Sequence, residues 1–295
     1  MMRNFGIVTL GLFVSLNLHA ASNQGFETDI SGISSIYAFL EPTTPNLVRV
    51  ASGGVNIPTS TSSQGGAFFA EVAMFFEDDG DTFSVQGDRI SWNNGPYSGD
   101  YVSGNGFSVD VFFDDPSFYD PTGPTVDGFF FQPTLLNDGN VDAVNGGGFG
   151  ARLFDPVGDG VDTDFVWRVG ADGDTKGYSG VSTFYEIDVA SSGWYTMSTF
   201  WETNTDSGNI NQVNTLTSIA SSSVVYTATI EDAVAAGQAG ALGAASLGNG
   251  DLGGGPASTF GDLAIDNVTV VPEPSAFALI LGVVGLSFAA IRRRR

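Results

Sequence analysis

Apolar and polar positions alternate in short runs along most of the chain. In "FFAEVAMFFEDDG" the alternation places Phe69 and Val72 on strand-like faces, and Asp78-Asp79-Gly80 closes the run with turn chemistry. "DTFSVQGDRISW" repeats the pattern through Phe83 and Val85, then a Gly87-Asp88 turn, then Ile90 and Trp92, so a hairpin is expected there. Further runs begin at Gly106 ("GFSVDVFFDD"), Val126 ("VDGFFFQPTLL"), Phe165 ("FVWRVG"), Ser182 ("STFYEIDV") and Gly193 ("GWYTMSTFWET"), and "VVYTATIED" and "LAIDNVTVV" complete the series. No helical periodicity alternates with these strands, so the pattern predicts an all-β, two-sheet antiparallel β-sandwich rather than a parallel α/β sheet.

Two stretches break the pattern. "TSTSSQGG" from Thr59 reads as a flexible loop. The run from Glu231, "EDAVAAGQAGALGAASLGNGDLGGGP", mixes helix-forming alanines with glycines that each cost about 1 kcal/mol in a helix, so a short frayed helix or a long loop is expected. Gly-rich pieces such as "NGGGFG" lack the Lys-Ser/Thr of a phosphate loop and read as turns.

Composition agrees with short strands and many turns: 295 residues hold 40 Gly and 24 Phe, and only 15% of positions are charged. With 10 basic against 33 acidic residues the formal charge is −23, which counts against nucleic acid as a partner. The chain has no cysteine, so thiol nucleophiles and Cys-ligated metal centres are excluded.

The two ends differ from the middle. The first 21 residues carry Arg3, an apolar run from Phe5 to Leu18 and small residues at Ala20 and Ala21, which are the three parts of a signal peptide cut by signal peptidase. At the other end an apolar run from Ala276 to Ile291 spans roughly 24 Å as a helix, close to a hydrocarbon core of about 30 Å. One C-terminal transmembrane helix is therefore expected, with Arg292, Arg293, Arg294 and Arg295 as cytoplasmic retention charges that leave the preceding body outside. Pro272 and Pro274 flank Glu273 and keep the backbone before this run extended and open to another protein's active site.

Pro272-Glu273-Pro274, the apolar span and the arginine cluster together resemble the PEP-CTERM sorting signal of exopolysaccharide-making bacteria. The resemblance covers roughly the last 24 residues. It implies an exosortase as a transient partner, a membrane-anchored precursor facing the periplasm of a Gram-negative bacterium, and delivery to the cell surface or extracellular matrix. The expected organisation is a signal peptide over 1–21, an exported domain over 22–271 and a sorting signal over 272–295. The segment from Trp194 to Val270 more loosely resembles the closing strands of jelly-roll sandwiches akin to lectin-like and carbohydrate-binding modules, which implies a sugar or calcium site without assigning either.

Processing at both ends would leave only Arg49, Arg89, Arg152, Arg168 and Lys176 as basic residues and would remove His19, the single histidine. Ser-His-Asp and Cys-His machinery is then unavailable, and carboxylate chemistry or hard-cation binding remains. Asp155, Asp159, Asp162 and Asp164, with Asp172 and Asp174, are candidate calcium ligands because Ca²⁺ takes six to eight oxygens; the EF-hand spacing fails, since Lys176 and Thr183 fall at positions five and twelve counted from Asp172. The competing account is solvated turns. Trp92, Tyr97 and Tyr101 are candidate sugar contacts, whereas Trp194 and Trp201 sit in alternating runs where core packing is the stronger expectation. Glu186 and Glu202 are the least implausible carboxylate pair for a glycosidase, the enzymatic alternative. The favoured expectation is a non-enzymatic, structural or adhesive protein associated with exopolysaccharide or another matrix glycan; a permanently tethered surface protein is the other alternative.

Overall fold

The computed structural model describes residues 23–30, 33–36, 47–52, 62–73, 86–93, 106–115, 128–136, 148–154, 166–172, 183–234, 241–250 and 262–271. They form fifteen strands: β1 (Asn23–Gln24), β2 (Ile33–Ile36), β3 (Leu47–Ala51), β4 (Phe68–Ala73), β5 (Gln86–Asn93), β6 (Gly106–Phe113), β7 (Gly128–Leu136), β8 (Gly148–Phe154), β9 (Val166–Asp172), β10 (Tyr185–Ile187), β11 (Gly193–Thr203), β12 (Ile210–Ser218), β13 (Ser223–Val234), β14 (Ala241–Gly250) and β15 (Asp262–Val271). The signal peptide, the sorting motif at Pro272, Glu273 and Pro274, the apolar run and Arg292 to Arg295 all lie outside the described residues. No helix among the described residues is long and apolar enough to cross a membrane.

The strands divide into two antiparallel sheets. The first runs β13-β12-β11-β6-β15-β4-β3, with β1 added against β15; the second runs β10-β9-β8-β7-β14-β5-β2. Alternation explains why they face each other. In β6 the odd positions Phe107, Val109, Val111 and Phe113 are buried in the same apolar cluster as Phe129, Phe131, Phe149, Leu153 and Trp167 of the second sheet. Phe113 lies 5.7 Å from Phe129, 5.6 Å from Trp167 and 5.6 Å from Tyr195, so one ring from the first sheet touches partners in both layers. Burial of each such ring contributes on the order of 1.5–3 kcal/mol. The expected all-β, antiparallel two-sheet sandwich is therefore what the described residues form.

Several local readings change. Gly87-Asp88 lies inside β5 rather than at a turn, so Ile90 and Trp92 do not form the second arm of a hairpin turning there; Phe83 and Val85 lie outside the described residues. "NGGGFG" enters β8 at Gly148, and the Ala/Gly run 241–250 is the extended strand β14, paired with β7 on one side and β5 on the other. The small side chains leave its backbone free to pair twice, and a ladder on each side outweighs the alanines' helical preference. Pairing of β7 with β8 stops at Phe131, two residues before Pro133, whose ring nitrogen has no N–H to continue it.

Candidate functional site

The outer face of the first sheet carries a polar network built on two buried carboxylates. It starts in β6, where Asp110 occupies an even, outward position between the inward Val109 and Val111, and in β15, where Asp266 stands directly opposite it. Both carboxylates are buried. A segment ahead of β4 covers them: the Ser63 hydroxyl lies 2.6 Å from Asp110 Oδ2 and 3.1 Å from Asp266 Oδ2, and the Ser63 N–H donates to Asp266 Oδ2 at 2.8 Å. Thr196 of β11 donates its hydroxyl to Asp110 Oδ1 at 2.5 Å, and the Asn267 side-chain amide reaches Asp110 Oδ2 at 3.3 Å. A hydroxyl has one proton, so Ser63 serves two acids that no lysine or arginine meets among the described contacts. Burial pushes the Asp266 carboxyl above its ordinary range, against the opposing pull of N–H groups from Ser63 and Asn267.

The N-terminal segment completes the arrangement. Phe26 adopts a positive φ of 55°, which turns its ring into the core at 1% exposure and aims its carbonyl at Arg49 of β3, whose Nε donates to it at 2.6 Å. Arg49 also donates to the Glu27 carbonyl, and its guanidinium lies 3.4 Å from the Phe68 ring centre. The Glu27 carboxylate accepts the N–H groups of Ala67 at 3.1 Å and Phe68 at 3.2 Å. A Cβ at Gly66 would fall on Glu27 Oε1, so a larger residue there would displace this carboxylate. Asn267, at φ 48°, sits at the register shift between Asp266 and Thr269 and turns that strand outward beside the same segment.

Between these pieces lies an open groove of about 500 Å³. Glu27, Thr28, Ser62, Gln64, Asp266 and Asn267 line it with carboxylates, amides and hydroxyls, the groups that exchange hydrogen bonds with polyol hydroxyls. Two oxygens on adjacent carboxylates also suit proton transfer, but O–H and N–H donors from the fold already occupy them. No group of three or more acidic or histidine side chains among the described residues is arranged to hold a metal ion.

The residues singled out from the sequence are placed as follows. Trp92 lies in β5, opposite Ile33 and Ala245 of the second sheet, and Asp172 ends β9 opposite Gly148. Tyr97, Tyr101, Asp155, Asp159, Asp162, Asp164 and Asp174 lie outside the described residues. Trp201 is in the core at 2% exposure, with Phe107 edge-on at 6.2 Å, while Trp194 is half-buried on the outer face against Phe112 at 5.4 Å. Glu186 belongs to β10 of the second sheet, where it pairs with Arg168 at 2.8 Å; Glu202 lies near the end of β11 in the first. The structure therefore puts these two acids on different sheets and instead brings Asp110 and Asp266 together. The available signal was a lone acid at mid-strand in "GFSVDVFF" and again in "LAIDNVTVV".

No protein-family model matches the sequence, and no characterised protein matches it. Solved structures similar to it include the CBM2 module of Lactobacillus casei BL23 phage J-1 evolved Dit, at 11% identity over 85% of this chain and 96% of that one with a TM-score of 0.40. The marine PL-14 alginate lyase from Aplysia kurodai is 14% identical over 72% of this chain and 87% of that one, with a TM-score of 0.35. Lectin I from Ulex europaeus is 12% identical over 82% and 99%, with a TM-score of 0.33. At such overlap the class rests on the chain's own strand pairing: an antiparallel two-sheet β-sandwich.

Proposed function

We propose that the chain is an exported, non-enzymatic surface or matrix protein, sorted through its C-terminal signal and associated with exopolysaccharide. The observation that carries this reading is an adjacency. The central strand β15 ends at Val271, and Pro272-Glu273-Pro274, the apolar run and Arg292 to Arg295 follow without a spacer domain. A folded body joined directly to a proline-extended peptide and an arginine-stopped apolar segment suits delivery of that body across a membrane, with a signal peptide at the other end. The polyol-compatible groove supports the glycan part, and the sandwich closing strands favour a jelly-roll-like module. The Asp-rich stretches 155–164 and 172–174 are proposed as an accessory calcium site that stabilises the body.

Mass spectrometry of the mature protein tests the sorting step: a C-terminus near residues 271–274 is expected, and an intact arginine cluster on the surface-exposed protein overturns it. Retention of the secreted protein on insoluble polysaccharide tests the association. An upward shift in melting temperature with calcium, reversed by chelation, tests the Asp-rich stretches.

A further inference from the structure

The outer face of the first sheet holds a second feature, distinct from the groove. Directly paired residues place one hydroxyl on each of five neighbouring strands: Thr269 of β15 opposite Ser108 of β6, Ser108 opposite Ser198 of β11, Ser198 opposite Thr215 of β12, and Thr215 opposite Thr227 of β13. With strands about 4.8 Å apart, the row crosses the sheet over roughly 19 Å. Neighbouring side chains along these strands continue the surface, with Thr196, Thr217 and, three residues from Thr227 across a register shift, the exposed Val224 on one side, and Phe200 and Thr229 on the other. Exposure increases toward β13: Ser108 is buried, the Thr269 hydroxyl already donates to the Asn267 carbonyl at 3.1 Å, Ser198 and Thr215 are half-buried, and Thr227 and Thr229 are exposed, so Ser198, Thr215 and Thr227 are the accessible part of the row.

From this geometry we infer that the row is a contact face for an uncharged polysaccharide lying across the strands. Serine and threonine hydroxyls donate and accept, which matches a partner whose own hydroxyls do both. The threonine and valine methyls and the Phe200 ring present apolar surface to the C–H faces of sugar rings. Charge decides against an acidic partner. Among the described residues of this face no lysine, arginine or histidine is present, while Glu202, Glu231 and Asp232 stand exposed at one end on a chain of charge −23. A uronate- or sulfate-bearing polymer finds repulsion there and no cation to pair with.

This inference rests on the glycan association proposed above and specifies its chemical class and its face. The test is retention of the purified secreted protein on insoluble neutral glucan (cellulose and curdlan) and on alginate beads, for wild type, Thr215→Glu, Thr227→Glu, Thr215→Val and the groove variant Gln64→Ala, with melting temperature checked for each. The expected result is retention on a neutral glucan, insensitive to salt, weakened several-fold in Thr215→Val and at least tenfold in Thr227→Glu. Thr215→Val keeps the β-branched shape, so its loss reads on the hydroxyl even if Thr215→Glu folds poorly. Retention on neutral glucan that survives every row variant but falls in Gln64→Ala overturns the row and leaves the association standing. Retention on alginate alone overturns the uncharged class. Retention on none of the polymers overturns the association and the inference together.

Discussion

The two faces of the first sheet are built from the same strands yet held by different forces. Inward, Phe107, Val109, Val111 and Phe113 join a layer of rings packed against the second sheet; outward, between them along the same strand, Asp110 accepts the hydroxyls of Thr196 and Ser63. The interior tolerates no loss of volume because neighbouring rings cannot collapse into the gap. The outer network tolerates loss of volume but not loss of a partner, because each buried acid needs its donors. Along β6 a two-residue period thus separates shape-dependent positions from hydrogen-bond-dependent ones.

The largest effect is expected on the inner side. Trp167→Ala removes a fully buried ring touching Phe113 and Phe129, and should cost about 3–5 kcal/mol in denaturant unfolding. On the outer side Asp110→Ala strips the acceptor from Thr196 and Ser63 and should cost about 1–3 kcal/mol, with Asp110→Ala plus Thr196→Val recovering part of that loss. If the double variant is no more stable than the single, the outer face is governed by packing after all and the contrast fails.

Next come the pH effects. Folded Asp266 holds its proton more tightly than the unfolded chain, so its contribution is complete below the ordinary value of 3.8 and is lost as pH rises through its higher folded value. Asp266→Asn should flatten that slope in melting temperature. Tyr195, on the inner face, is pushed up to about 12 by burial, with Tyr185 and Asp188 adding to the rise; its contribution is present below 10 and lost between 10 and about 12, and Tyr195→Phe should remove that alkaline loss. The smallest effect belongs to the surface pair Arg168–Glu186, where Glu186→Gln should change stability by no more than about 1 kcal/mol, since Glu186 is half exposed.

The inner face was legible in the sequence because burial imposes alternation: "GFSVDVFF", "FVWRVG" and "GWYTMSTFWET" announce β6, β9 and β11 directly. β14 was not, because its alanines and glycines carry no periodic signal and its extended form depends on neighbours far away in sequence. The same reason hid the candidate site. Ser63 lies in a stretch that reads as a flexible loop, and its two acids are 47 and 203 residues away, so only the completed sheet brings them together. Glu186 and Glu202 are close in sequence and end on opposite layers. Core packing was the expectation for both Trp194 and Trp201; Trp201 meets it, whereas the register of β11 against β6 puts Trp194 on the outer face.

The position of β15 carries one more consequence. It is a middle strand of the first sheet, bonded to β6 and β4 and to the short β1, although it comprises residues 262–271 of the chain. Until those ten residues have been synthesised, the sheet has a gap at its centre and the opening residues have nothing to pair with. A copy lacking residues 262–271 therefore leaves β6, β4 and β1 without the strand that joins them, and the first sheet stays open rather than nearly finished.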